Sequence, residues 1–370
     1  MRWWLCLMIG MLCSGNLYAQ LPDHTLLTQT LEQLRSDNDL PSLSAAIRDD
    51  SGVVAVAVGL SDVELELPQS TLLGMPGGST GKSFVAATTM RLVEEHAIEL
   101  ADPISLYVGQ RAWYQALQGA QAITIEHLLT HTSGVPDHVD DFDFAWDLFW
   151  RRIQDRRALY QPHELIEFVL DDGLLFEPGT DYAYSDTGYL MLGLVLEAAT
   201  DLTYYELLQR YILDPHQLAA RPADNDMMAD VSQGYVGTNL VTWLGGFNGP
   251  FIEEGIMRLH PRSEWTGGGL ITTPTVLTDF YHKLANGQIV APDTYQQMLA
   301  AGLRSETRPW HYGFGLFVGR EAVGHGGWFP GYRTNARHFG PDNITIAIQT
   351  NTDADFDQQQ VIATLRQLTR

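Results

Sequence analysis

Cysteine is nearly missing from this 370-residue chain: its two residues, Cys6 and Cys13, both lie near the N-terminus. A chain without that segment would have no disulfide to stiffen it and no thiol to act as a nucleophile. Lysine is almost as scarce, with Lys82 and Lys283 alone among 22 basic residues. Positive charge is short overall, since 45 acidic residues leave a net charge of −23. That balance argues against nucleic acid and anionic membrane surfaces as partners, because phosphate binding needs clustered Lys and Arg. Beyond the N-terminus no apolar run is long enough to span a bilayer. Repeats and low-complexity linkers are missing too, which excludes solenoids and disordered arrays.

What is there begins with Arg2, the apolar run Trp3–Leu12 and the small and polar residues ending in Leu17-Tyr18-Ala19. A positive start, a short apolar stretch and a small residue at the cut predict a signal peptide over 1–19, cleaved after Ala19. The rival reading is a buried first helix or a membrane anchor, for which the run is short. Cleavage would remove one basic residue and no acid, moving the net charge from −23 to −24. A periplasmic or secreted protein follows, with no membrane span once the signal is gone.

The 45% apolar content of the whole chain supports a sizeable core. Leu26, Leu27, Leu31 and Leu34 recur at helical spacing. Two strands, Leu43–Arg48 and Val53–Gly59, flank the turn chemistry of Asp49-Asp50-Ser51-Gly52. From Ser79 to about Leu303 the pattern is mainly helical, with helices over Lys82–His96 and Tyr189–Thr200. Strands return at Tyr312–Val318, Tyr332–Phe339 and Asn343–Thr350, and a helix over Gln358–Leu368 ends the chain. This order predicts an α/β (α+β) fold in which strands from both chain ends form one antiparallel sheet flanked by helices. A single catalytic domain over 20–370 is expected, its α/β lobe at about 20–75 and 304–370 and its helical lobe inserted at about 79–303. The cleft between lobes is the expected site of chemistry.

Gly77-Gly78-Ser79-Thr80-Gly81-Lys82-Ser83 can be read in three ways. As Ser-x-x-Lys at a helix start, it puts Ser79 and Lys82 on one face, where a lysine can take the proton from a serine hydroxyl. A plain helix with an N-terminal serine also fits those four residues. As a phosphate loop it is one residue short, with Pro76 where the first glycine belongs. As a Gly-x-Ser-x-Gly elbow it lacks the apolar strand that should run into the turn.

Three more segments narrow the choice: Glu126–Asp137, containing His131-Thr132-Ser133-Gly134; Phe176–Gly193, containing Tyr184-Ser185-Asp186; and Gly324–Tyr332, containing His325-Gly326-Gly327. Together with Ser79–Lys82, in this order, the chain resembles the β-lactamase-related serine hydrolases from about Leu26 to Asn351. That family includes class C β-lactamases, D,D-carboxypeptidases, D-aminopeptidases and esterases. The resemblance implies Ser79 as nucleophile and Lys82 sharing its proton with Tyr184. It also implies His325 lining the cleft to hold substrate or Tyr184, with the backbone N–H groups of Ser79 and Trp328 as oxyanion hole. Asp186 and Gly327 complete the substrate-binding set, and no metal or organic cofactor is required. Two departures bear on substrate. Asp186 stands where an amide is usual, and His325-Gly326-Gly327 replaces the Lys-Thr-Gly with which β-lactamases grip a carboxylate. These favour small esters or D-amino-acid amides and peptides over β-lactams. The alternatives are a β-lactamase or D,D-carboxypeptidase proper, and a penicillin-binding-like receptor without turnover.

His127 and His131, four apart, could hold a metal, or simply end a helix. The acidic stretch Asp137, Asp140, Asp141 and Asp143 lacks EF-hand spacing and reads as a solvated rim. Trp146, Phe149 and Trp150 read as core in preference to a substrate groove.

Overall fold

A computed structural model describes residues 20–155, 159–237 and 249–369. The expected signal segment, with Cys6 and Cys13, lies outside the described residues.

Helix α1 (His24–Asp37) is capped by the Asp23 carboxylate, which accepts the Thr25 and Leu26 N–H groups, and it buries Leu27 and Leu31. Strands β1 (Ser42–Asp49) and β2 (Gly52–Asp62) form the expected hairpin. Asp49 Oδ1 closes its turn by accepting from Ser51 N at 2.7 Å and Gly52 N at 3.1 Å. A short β3 (Leu67–Pro68) follows at the edge. The remaining strands come from the other chain end: β4 (His311–Tyr312), β5 (Phe317–Val318), β6 (Val323–Phe329), β7 (Tyr332–Phe339) and β8 (Ile344–Thr350). The spatial order is β4-β5-β6-β7-β8-β1-β2-β3, antiparallel throughout, so the last strand made lies against the first. β8 is buried along its whole length. Ile344, Ile346 and Ile348 face α1 and α7 (Gln358–Gln367), while Ala347 joins the core on the opposite face.

The single strand expected over Tyr312–Val318 is instead the two-stranded β4–β5 hairpin. Gly315, at φ +65°, lets the chain reverse there, a conformation open to glycine. β6 is a strand the glycine-rich sequence concealed.

Opposite α1, three helices build the inner layer. α2 (Gly81–Glu94) is apolar nearly all round and buried accordingly, with Phe84 stacked on Phe280 at 3.7 Å. α5 (Asp186–Thr200), capped by Ser185 Oγ on Gly188 N at 3.0 Å, and α6 (Pro274–Ala285) pack around it. Between them lie α3 (Ile125–Leu129) and α4 (Phe142–Gln154). The inserted stretch also carries short strands, including a three-stranded sheet of Met75–Pro76, Leu270–Thr272 and Arg221–Pro222. Gln349 ties that sheet to the main one through Thr272 at 3.1 Å and Thr334 at 3.2 Å.

The core reading of the α4 aromatics does not hold: Trp146 is 55% and Trp150 45% exposed. Trp146 stacks on Phe149, and Trp150 meets both rings edge-on along the outer face of α4, so their partners are their own neighbours. No helix of the described residues is long and apolar enough to cross a membrane.

Candidate active site

Ser79 lies in a tight 3₁₀ turn, Gly78–Thr80, that runs straight into α2. Backbone crowds this turn from two sides. Gly78 has φ +52°, and a Cβ there would come within 2.5 Å of Trp328 O and 2.7 Å of Trp328 N. A Cβ on Gly327 would stand 2.0 Å from Gly77 O and 3.2 Å from Ser79 N. The glycines are therefore what allow β6 to press its Gly327–Trp328 backbone against the nucleophile turn. The Gly327–Trp328 backbone is thereby packed directly against the Gly77–Ser79 backbone.

Lys82 is sealed from solvent, 0% exposed. Its ammonium donates to Ser79 Oγ at 3.1 Å, to Gly267 O at 2.5 Å and to the Asp186 carboxylate in a short ion pair. Three acceptors satisfy the three N–H bonds of a charged ammonium, and a buried cation needs such a set to offset its desolvation. The rings of Tyr184 and Tyr189 lie beneath it at 5.0 and 5.5 Å. The Gly267 carbonyl is aimed inward by a strained residue: Trp265, buried, adopts φ +40°, ψ −114°. Gly193 on α5 makes room for that ring, since a Cβ there would approach it to 2.7 Å.

The Tyr184 hydroxyl is buried and makes no hydrogen bond of good geometry, yet Ser79 is near enough to favour its phenolate. Burial dominates, Asp186 adds to it, and together they hold the Tyr184 pKa well above 10. At rest Tyr184 is therefore a neutral phenol.

Behind Tyr184 lies His131, fully enclosed. Its ring is 4.1 Å from that of Tyr184, and its Nδ1 accepts the Ser185 N–H at 3.1 Å. His127 Nδ1 accepts the Thr124 N–H at 3.2 Å in a capping box. Each histidine of the candidate metal pair thus spends a ring nitrogen on the backbone. No group of three His, Cys, Asp or Glu is placed to hold a metal among the described residues.

His325 does not line an open cleft. It is 1% exposed, Nε2 accepts from the Tyr312 hydroxyl at 2.9 Å, and Nδ1 donates to Gly326 O at 2.5 Å. With both nitrogens engaged, and burial holding its pKa well below the usual value, it is a neutral ring whose centroid lies 6.3 Å from that of Tyr184. Asp186 faces Lys82 from the first turn of α5, and Trp328 is 39% exposed at the mouth.

Four residues outside the expected catalytic set shape this site, and one of them, Asp137, is not on a solvated rim as expected but enclosed beside Asp186. Tyr312 anchors His325; Gly267 holds Lys82; Asp137 and Glu264 surround Asp186. Asp137 Oδ2 accepts the Asp186 backbone N–H at 3.0 Å. Burial, then the Asp186 charge, push its pKa up to about 7. Glu264, half-buried by area but ringed by protein, is pushed up to about 8 by the same two causes, with Lys82 opposing. Asp137 ended the Glu126–Asp137 motif and so had a signal. Glu264 had none, being remote in sequence from every motif, whereas the run Gly267-Gly268-Gly269 is a sequence sign of close backbone approach.

A family description, Beta-lactamase, matches residues 27–369. The chain is 23% identical over 311 residues to penicillin-binding protein 4* of Bacillus subtilis, covering 77% of this chain and 62% of that protein. It is 24% identical to a D-aminopeptidase of Gluconobacter oxydans, over 83% of this chain and 55% of that one. The chain thus spans under two thirds of the length of these two relatives. Among solved structures, a D-stereospecific amidohydrolase from Streptomyces sp. superposes with a TM-score of 0.78 at 24% identity, over 93% of this chain and 98% of that one. D-amino acid amidase from Ochrobactrum anthropi SV3, complexed with L-phenylalanine amide, gives 0.74 at 18% identity, over 93% and 96%.

Proposed function

The chain belongs to the β-lactamase family, and on that premise we propose that it is an exported serine hydrolase acting on small esters or D-amino-acid amides through an acyl-enzyme. The observation that carries this reading is Ser79 Oγ, 3.1 Å from Lys82 Nζ, in a turn against which the Gly327–Trp328 backbone is pressed. Ser79 Oγ would bond to the substrate carbonyl carbon while the amide C–N or ester C–O bond breaks. The serine proton goes to the Lys82–Tyr184 pair and from there to the leaving amine or alcohol. Water then hydrolyses the acyl group with the same pair reversing its role. Oxyanion charge would be held by the Ser79 and Trp328 N–H groups, of which one is typically worth about 3 kcal/mol.

Because Tyr184 rests as a phenol, the fraction able to take the serine proton through it grows as pH rises. The substrate class is supported by the D-aminopeptidase and D-amidase likenesses and by the missing cation of the third motif. Cleavage after Ala19 and release into the periplasm or medium belong to the same reading, checked by the N-terminal mass of the exported protein.

The test is intact mass after exposure to a fluorophosphonate, with Ser79→Ala beside it. One adduct on wild type, absent from the variant, is expected. Hydrolysis of D-phenylalanine amide faster than of its L-enantiomer, with a chromogenic cephalosporin turned over slowly, would then fix the class. A folded wild type that takes no adduct would overturn the reading. An acyl adduct that forms and is never released would favour the receptor alternative, for which Asp186 on Lys82 is the supporting contact.

A further inference from the structure

A concavity lies away from Ser79. A cleft of about 710 Å³ opens on the far side of the sheet, between β5–β7 and α7. The register of β6 and β7 separates the two faces: His325 pairs Ala336 and Gly327 pairs Thr334 toward the catalytic side, whereas Gly324 pairs Arg337 toward the other.

The polar lining of this cleft runs against the composition of the chain. With 45 acidic residues to 22 basic, a random patch should be negative. Here three arginines, Arg320, Arg337 and Arg366, converge with Glu321 as the sole carboxylate in the lining. Glu321 is already committed, since Arg366 donates to it at 2.7 Å and to Asp342 at 2.7 Å. Arg320 is exposed. Arg337, mostly enclosed by protein, donates Nη1 to Ala336 O at 3.0 Å, and no carboxylate lies within ion-pairing distance of it among the described residues. Burial holds its pKa below the usual guanidinium value, as expected of a cation without a compensating anion. Enclosed guanidinium groups are ordinarily paired. The walls are apolar: Trp310 packs edge-on against Phe317 at 5.1 Å, and Phe339 and Ile362 close the other side.

We propose that this cleft binds a small organic carboxylate, its charged end on Arg337 and Arg320 and its apolar body against Trp310, Phe317 and Phe339. A planar guanidinium fork matches a carboxylate bidentately. The volume suits a drug-sized molecule, and apolar walls around a few convergent donors are the make-up of a small-molecule pocket. Its arginines lie on the α7 face of the sheet, away from Ser79, while the Phe317 wall also packs against His325 at 4.8 Å.

The experiment is calorimetric titration of the full mature chain with phenylacetate, with neutral phenylacetamide and inorganic phosphate as comparison probes. Saturable one-to-one binding of phenylacetate is expected, with Arg337→Gln weakening it roughly tenfold or more. Ala363→Glu guards against a folding defect in that variant. Ala363 is an exposed α7 position lining the same cleft, so the new carboxylate should occupy the arginines and abolish binding without disturbing the core. Absence of saturation up to about 10 mM in folded wild type would overturn the proposal. So would equal affinity in wild type and Ala363→Glu, or phosphate or phenylacetamide binding as tightly as phenylacetate.

Discussion

The carboxylate of Asp137 accepts the backbone N–H of Asp186 at 3.0 Å, so two acidic side chains meet at the first turn of the helix that faces Lys82. Only one of them has a cation. Asp186 is paired with Lys82, while Asp137, nearly sealed, is left with backbone donors and a like-charged neighbour.

The first prediction concerns stability against pH. Asp137 has a folded pKa of about 7 against an ordinary 3.8, so the folded state binds the proton more tightly than the unfolded chain. The stabilisation from its protonated form is present at low pH and is lost as pH rises from 3.8 toward 7. Asp137→Asn keeps an oxygen acceptor for the Asp186 N–H and cannot ionise. Its melting temperature minus that of wild type should climb between pH 5 and pH 8. A difference that stays flat across this range would show that Asp137 does not titrate as argued.

Asp186→Asn should move chemistry in pH rather than abolish it. The carboxylate raises the Tyr184 pKa, so its removal eases proton loss from the phenol. The rise in fluorophosphonate labelling rate with pH should move to lower pH. An unshifted profile would mean that Asp186 does not set the proton affinity of the phenol.

Gly327→Ala tests the contact between β6 and the nucleophile turn. The added methyl would sit 2.0 Å from Gly77 O, so the strand must retreat and carry the Trp328 amide with it. Labelling at Ser79 should fall about 100-fold, with a stability loss of about 1–3 kcal/mol in urea unfolding. Full labelling in a folded variant would remove Trp328 from the oxyanion hole.

Tyr312→Phe separates a structural from a catalytic His325. The substitution leaves Nε2 of a buried ring without its donor, at a cost of about 1–3 kcal/mol. Labelling rate and its pH profile at 25 °C should remain those of wild type. A changed profile would instead place His325 in the proton inventory.

Much of this was readable beforehand, for specific reasons. Ile344, Ile346 and Ile348 alternate as a strand must, and Tyr332–Phe339 was found to the residue. Ser79 and Lys82 are local neighbours, so a four-residue motif carried their contact. β6 was hidden because Gly324, Gly326 and Gly327 look like a loop; the glycines are there for close backbone approach within a strand. Trp146 and Trp150 were assigned to the core on residue type alone, and nothing in a single sequence reveals which face of α4 is left uncovered. Glu264 and Gly267 meet Asp186 and Lys82 only through the folded chain, across a separation no spacing rule reaches.

The adjacency of β1 and β8 sets the order in which competence can arise. Ser79, Lys82 and Tyr184 emerge early, but β6, with its Trp328 amide, and β8, the strand that closes the sheet, come last. A growing chain therefore holds its serine beside no preformed anion pocket until the final fifty or so residues join. Pairing between opposite ends of a chain is slow to form, since loop closure must precede any reward. Regain of Ser79 labelling after denaturation is consequently a clock for completion of the whole sheet, and it should lag the return of helical signal.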